Sequence, residues 1–347
     1  MQDARYKILV WLPSPLGDAV LCTPALRAIR QHFRSSKIWF LARPAVCQLL
    51  SPNSFNDMWL TLKNGSPFQM AKILKKHQFT HAILFKNSFA SGLASFLARI
   101  PSRIGYARDC RGFMLTDKLY PPSLSNGRFK PISMIDYYLA IACWLGADTT
   151  NRNLELLIEQ KHQEQLKAKL PQLVNSVKPI VIIVPAGAYG PSKYWPADRF
   201  AQVADWLFTN YNATIIISVA SNRIEQAIAE EICSLSKYNH KHKLINLAEQ
   251  PLNLGQLKAL FACADLVISN DTGPRHIAIA LKRKVVTLFG PNDPAWTETD
   301  YKDEIKIIGD APCAPCEKPV CKKNEHLCMQ AITVEMVCNA AKKLLDS

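Results

Sequence analysis

The sequence predicts an α/β protein built of two Rossmann-like domains. Three observations carry that expectation. Short apolar runs alternate with stretches of helical apolar spacing from Ile8 onward, the rhythm of a parallel sheet covered on both faces. The rhythm stops in a polar, Lys- and Gln-rich stretch, Glu159 to Lys178, and starts again at Pro179. The 347 residues suffice for about two domains with cores of their own.

Taken in order, Ile8–Leu12 reads as a buried strand ended by Pro13. A helical pattern follows through Leu26, Ile29 and Phe33, with Thr23-Pro24 as an N-cap and a proline at the first helical position. Lys37–Ala42 is a second strand. His81–Phe85 is another, running into Asn87-Ser88, and Ser91–Arg99 is helical. Lys161–Leu170 reads as an exposed helix stopped by Pro171. The domain boundary is expected here, so that residues 1–165 form one domain and 175–330 the other. The second series runs through strand Pro179–Val184, helix Ala197–Thr209, strand Ala213–Val219, helix Arg223–Leu235, and strands Leu266–Ser269 and Lys284–Phe289 with a helix between them. Residues 331–347 carry an amphipathic C-terminal helix, Val334–Leu345. Two such domains are expected to face each other across a cleft, with ligands at the carboxyl ends of the strands.

With 48% hydrophobic and 20% charged residues, the chain is neither a disordered polyelectrolyte, a collagen nor a polytopic membrane protein. Lys and Arg number 42 against 28 Asp and Glu, a formal charge of +14. That balance points to an anionic partner: nucleic acid, phosphorylated metabolite, anionic glycan or membrane surface. Zinc-finger spacing, an RNP motif and a block of consecutive Lys/Arg are all missing, which argues against nucleic acid. Met1–Lys7 has no basic n-region and no apolar h-region, so no signal peptide is expected. The eleven cysteines, an odd number in a chain that reads as cytosolic, are expected to be mostly reduced thiols.

Five segments can carry chemistry. Pro13–Val20 follows the first strand and contains Gly17 and Asp18. It occupies the place of a dinucleotide fingerprint without being one. Gly17 allows a close backbone approach or a positive φ. Asp18 has two readings: a helix N-terminal carboxylate held by the dipole, or a general base that takes a proton from a docked hydroxyl. A dipole would lower its pKa, so desolvation by the substrate would be needed to make it a better base. The second segment, Asn270–His276, sits after the apolar run Leu266–Ser269. Thr272 and Gly273 would leave free backbone N–H groups at a helix N-terminus, an anion site, and His276 lies on the same face one turn later. A satisfied core histidine is the plainer reading of His276 alone; the glycine and hydroxyl at the same turn favour phosphate.

In the third segment, Gly187–Pro196, Lys193 is either a mobile cation at the cleft mouth or a surface lysine beside a packed Trp195. The fourth, Gly290–Pro294, is a turn by composition. The fifth holds Cys313, Cys316, Cys321 and Cys328, with His326 nearby. Structural zinc on four thiolates, disulfides, and plain reduced thiols all remain open for it.

Together these segments resemble the glycosyltransferase family 9 heptosyltransferases, which build the inner core of lipopolysaccharide. The likeness runs in order through Leu16-Gly17-Asp18 with Thr23–Leu26, Asn87–Ser91, Arg103–Tyr106, Gly190–Lys193 with Trp195-Pro196, Asn270–His276 and Leu288–Pro294. The late cysteine stretch is similar to the type II branch. The resemblance implies a GT-B fold, with the acceptor in the N-terminal domain and the nucleotide-sugar in the C-terminal one. It implies ADP-L-glycero-D-manno-heptose as donor, a heptosyl-Kdo-lipid A acceptor, inversion at the anomeric carbon and no required cofactor. By position, Asp18 matches the catalytic base, Lys193 the lysine on the donor diphosphate, and Asp271, Thr272, Gly273 and His276 the donor turn. Glu225 is placed near the donor nucleoside, and Ser14, Asn87 and Ser88 on the acceptor side. Members often carry Lys where this chain has Ala90, a departure on the acceptor side only. The expected location is cytoplasmic, with the basic surface holding the chain peripherally at the anionic inner leaflet. The competing readings are the same fold acting as heptosyltransferase I or on another nucleotide-sugar, a nucleotide-sugar epimerase, and a non-enzymatic basic glycan-binding protein.

Overall fold

The computed structural model describes residues 6–61, 65–173, 179–238, 244–323 and 325–347. Met1–Arg5, within the stretch read for a signal peptide, and residues 174–178 of the polar stretch lie outside them. The chain divides into two compact units. The first comprises Met1–Leu157 and Ala295–Thr299, the second Ile158–Pro294 and Asp300–Ser347.

The first unit is a six-stranded parallel sheet. Its strands are β1 (Lys7–Trp11), β2 (Lys37–Ala42), β3 (Met58–Thr61), β4 (His81–Leu84), β5 (Ser102–Tyr106) and β6 (Asp117–Leu119), in spatial order β3-β2-β1-β4-β5-β6. Ile8, Leu9 and Val10 are fully buried, because a central parallel strand is covered on both faces. The helical pattern after β1 is two helices, Leu16–Leu21 and Thr23–His32. Thr23 does not cap the second one. Cys22 is the N-cap, and the Thr23 hydroxyl donates to the Val20 carbonyl at 2.8 Å. Gly17 lies inside the first helix and takes no positive φ.

Helix Met134–Trp144 is capped by Ser133, whose hydroxyl accepts from the Ile135 amide at 3.2 Å and donates to the Glu298 carbonyl at 2.5 Å. That second bond ties the late segment Ala295–Thr299 into the first unit.

The second unit repeats the plan with β7 (Ile180–Val184), β8 (Thr214–Ile217), β9 (Leu244–Asn246), β10 (Leu266–Asn270), β11 (Lys284–Phe289) and β12 (Glu304–Ile308). Its order is β12-β11-β10-β7-β8-β9, all parallel. Counted from β7, this is the same 3-2-1-4-5-6 order as the first sheet, the doubly wound Rossmann arrangement. The Ile180–Val184 run, all β-branched, is buried throughout. Trp195 packs edge-on against Phe200 at 4.8 Å and donates its indole N–H to the Ile332 carbonyl at 2.9 Å.

Two expectations on domain limits differ from what is observed. Helix Gln160–Lys169, placed largely in the first domain, joins the second unit, where the Lys169 ammonium donates to the Pro251 carbonyl. The C-terminal helix Val334–Leu345 is not a separate appendage. It buries Val337, Ala341 and Leu344 in the core of the second unit, as its amphipathic spacing requires.

Candidate active site

In an open sheet of this order the strand sequence reverses between its first and fourth strands. Ligands bind just beyond the carboxyl ends there. Three of the five chemistry-bearing segments lie at such ends: Pro13–Val20 after β1, Gly187–Pro196 after β7 and Asn270–His276 after β10. Asn87–Ser91, singled out by the resemblance, lies at the fourth such end, after β4.

In the first unit Asp18 stands in the opening turn of helix Leu16–Leu21. Its carboxylate accepts no hydrogen bond among the described residues. Burial pushes its pKa up from 3.8 to about 6. The expected lowering by a helix dipole is therefore overturned: a six-residue helix offers a small dipole, and removal of water outweighs it. The protein itself supplies the desolvation expected of the substrate. Ser14 is half-buried beside it in the sequence. Ser88 is the N-cap of helix Phe89–Leu97, accepting from the Ser91 amide at 3.2 Å. The Asn87 side chain donates to the Tyr137 hydroxyl and accepts from Arg111, both at 2.8 Å.

In the second unit Lys193 is neither mobile nor on the surface. It lies in the short 3-10 turn Pro191–Lys193, only 7% exposed, and its ammonium donates to the Asp271 carbonyl and carboxylate, both at 2.7 Å. Burial pushes the Asp271 carboxyl up, but the Lys193 and Arg275 charges outweigh that and hold it below the usual carboxylate range. Arg275 reaches Asp271 at 3.3 Å and grips Glu304 with two bonds, 2.6 and 3.0 Å. Glu304 also accepts from the Thr287 hydroxyl at 2.5 Å. Lys193, Asp271, Arg275 and Glu304 thus form one buried chain of alternating charge.

Thr272 is the N-cap of helix Gly273–Ala280, with no side-chain capping bond. His276 is 3% exposed, and burial first, then the Arg275 charge, lowers its pKa to about 3. It is a neutral imidazole, and its Nδ1 has no hydrogen-bond partner among the described residues. It is therefore not the satisfied core histidine of the plainer reading. Glu225 is buried near the start of helix Arg223–Leu235. It accepts from the Ala220 amide and the Asn222 side chain, both at 2.9 Å.

Gly187 faces Thr272 so closely that an added methyl would overlap the threonine side chain. Gly187→Ala is therefore expected to push the Thr272 cap out of place. The cost should be about 1–3 kcal/mol of stability. A thermal melt of the variant against wild type checks this.

Cys313, Cys316, Cys321 and Cys328, all free thiols, line one small cavity of about 20 Å³ with Ser192 and Pro291. The disulfide reading is thereby not realised. Among the described residues, no three His, Cys, Asp or Glu side chains are gathered closely enough to hold a metal ion. This segment instead braces two loops of the unit. The Ser192 amide donates to the Pro319 carbonyl at 3.1 Å, its hydroxyl to the Lys318 carbonyl at 2.6 Å, and the Glu317 amide to the Pro291 carbonyl at 2.8 Å.

Sequence reasoning passed over four residues here. Arg275 had a signal, since it stands four places after Asp271 on the helical register, where opposite charges meet. Glu304, Arg111 and Tyr137 had none, because each reaches its partners through the fold rather than through spacing.

A carboxylate kept free and water-poor at one sheet's switch point, and a helix start beside fixed cations at another's, are what transfer of a group from a phosphorylated donor requires. Two Rossmann-like units of this strand order are the parts of a GT-B glycosyltransferase fold. The sequence profile of glycosyltransferase family 9 (heptosyltransferase) matches residues 68–327, and the chain belongs to that family.

It is 26% identical to lipooligosaccharide heptosyltransferase 2 of Campylobacter jejuni (serotype O:6, strain 81116) over 97% of this chain and 99% of that one. Identity to lipooligosaccharide heptosyltransferase 2 of Haemophilus ducreyi is 28%, over 98% and 99%. The solved structure of E. coli ADP-heptose lps heptosyltransferase II superposes with a TM-score of 0.78 at 22% identity, covering 98% of each chain. Among the described residues no helix is long and apolar enough to cross a membrane.

Proposed function

We propose that this glycosyltransferase moves a heptose from ADP-L-glycero-D-manno-heptose to the heptosyl-Kdo inner core of lipopolysaccharide, with inversion. The observation that carries the reading is Asp18, a carboxylate without a hydrogen-bond partner among the described residues, whose burial sets its pKa near neutrality. The relatives named above supply the donor and acceptor class. In the proposed reaction an acceptor hydroxyl attacks the anomeric carbon and its proton passes to Asp18. The bond from that carbon to the diphosphate oxygen breaks with its electron pair, and ADP leaves.

Negative charge then grows on the diphosphate. Lys193 donates two of its three N–H groups to Asp271 and lies over the Tyr189 ring at 4.5 Å, a fixed cation toward which that charge develops. The amides at the start of helix Gly273–Ala280 and the neutral His276 add fixed dipoles. Each step runs on protein groups. The formal charge of +14 suits an acceptor that bears Kdo carboxylates and lipid phosphates, and a cytoplasmic protein held peripherally at an anionic leaflet.

A mass-spectrometric transfer assay tests this, with ADP-heptose and a Kdo-lipid A acceptor already carrying one heptose. Wild type should add one heptose and Asp18→Asn none. An intact donor and an unmodified acceptor with wild type would overturn the substrate assignment. Release of an epimerised sugar without acceptor would favour the epimerase reading.

A further inference from the structure

Among the described residues of the first unit, Arg111 is a buried cation that the proposed chemistry does not use, and the fold is built around it. It precedes the 3-10 turn Gly112–Met114 and is 0% exposed. Its guanidinium makes five hydrogen bonds, to the carbonyls of Leu84, Lys86 and Tyr106, the Ser91 hydroxyl and the Asn87 side-chain oxygen. All five acceptors are neutral. A fully buried guanidinium with no carboxylate bonded to it is expensive. It is kept where a rigid fork of five donors is needed to fix several oxygens at once.

Two glycines clear its space. A methyl at Gly92 would come within 3.0 Å of the Arg111 Cβ, and one at Gly105 within 3.1 Å of the guanidinium. The contacts also close into a circuit. Arg111 donates to Asn87 at 2.8 Å, Asn87 donates to the Tyr137 hydroxyl at 2.8 Å, Tyr137 stacks on Tyr106 at 3.8 Å, and the Tyr106 carbonyl accepts from Arg111 at 3.0 Å. The circuit joins the turn after β4, the helix Met134–Trp144 and β5. It also gives Gly105-Tyr106, singled out by resemblance alone, a physical role.

We propose that Arg111 is the positioning residue of the Lys86–Ser91 turn, fixing Asn87 and Ser88 in one geometry for the sugar acceptor. Arg111 does not touch the acceptor; it acts through Asn87. The claim deepens the proposed function and rests on its placing of the acceptor in the first unit.

The test varies donor and acceptor separately in steady-state kinetics of Arg111→Lys and Tyr137→Phe, alongside hydrogen exchange of the substrate-free protein. Lysine keeps the charge but cannot fork. Its acceptor KM should rise about tenfold, while the donor KM stays within about twofold. Tyr137→Phe removes the hydroxyl that holds Asn87 and Arg108 and should raise acceptor KM about threefold. In both variants exchange should quicken in residues 86–92 and not in 187–195. Donor and acceptor KM rising together, or unchanged exchange in 86–92, would overturn the proposal. If Arg111→Lys does not fold, Tyr137→Phe carries the same expectation. If wild type ignores the acceptor, the substrate reading fails instead, and exchange alone decides the role of Arg111.

Discussion

Asp18→Asn should lower kcat by roughly 10²- to 10⁴-fold, the usual worth of a general base, and should make the protein more stable at pH 7. Both outcomes come from one cause. The Asp18 carboxyl titrates at about 6 in the fold, against 3.8 for a carboxyl surrounded by water, as in the unfolded chain. The native state therefore holds a proton that the unfolded chain has already lost. Stability then falls as pH rises from about 4 to 6, and the cost stays in place above that. Asparagine removes it. The gain should be about 1–3 kcal/mol at pH 7, shrink steadily toward pH 4 and vanish only below about pH 3, where the carboxyl is protonated in both states. Thermal melts of the two proteins across pH 4–8 read this directly.

The same value places the acidic limb of the rate profile. Acceptor kcat/KM of wild type should rise through about pH 6, a limb commonly assigned to histidine. His276, held down to about 3 by burial, is neutral throughout that range and gives no such limb. A profile whose limb moves in a His276→Asn variant would disprove the assignment to Asp18.

The second large effect is expected at Arg275. Arg275→Met should cost about 3–5 kcal/mol, because it leaves Glu304 as a buried carboxylate without its two-bond partner. Both side chains are 0% exposed, so water cannot take over. Asp271 would lose one of its two cationic partners, and ADP affinity should fall with stability. Adding Glu304→Gln should recover part of the loss, since the stranded charge is gone. Urea titration followed by hydrogen exchange across 266–289 measures all three proteins on the unit concerned. A double variant no more stable than Arg275→Met would show that the ion pair itself does not set the cost.

Much of this is legible in the residues, for physical reasons. Buried parallel strands must be continuous apolar runs, so β7 and β11 stand out. A helix such as Arg223–Leu235 announces itself by its Asn222 cap and its spacing. The edge strands β3, β6, β9 and β12 escape the sequence pattern. β3, β6 and β9 have only three or four residues, and β3 and β12 are only partly buried, so their side chains carry little periodicity. At the site, the turns are readable because Gly, Pro, Asp and Asn punctuate them. What the side chains do there is not. Lys193 reads as a surface cation because sequence gives composition, not depth. Asp18 stays open between a dipole-held carboxylate and a general base in the sequence, because Tyr138, whose ionisation its charge opposes, comes near it only in the fold.

Finally, Ala295–Thr299 belongs to the first unit although it comes late in the chain. Neither unit is then one uninterrupted length of polypeptide. A gene cut at residue 157 yields a first half without its last piece, and Ser133 loses the Glu298 carbonyl that its hydroxyl holds. That serine caps the helix bearing Tyr137. Chimeras that trade one half between relatives must therefore move two segments together, and natural recombination at this locus is held to the same rule.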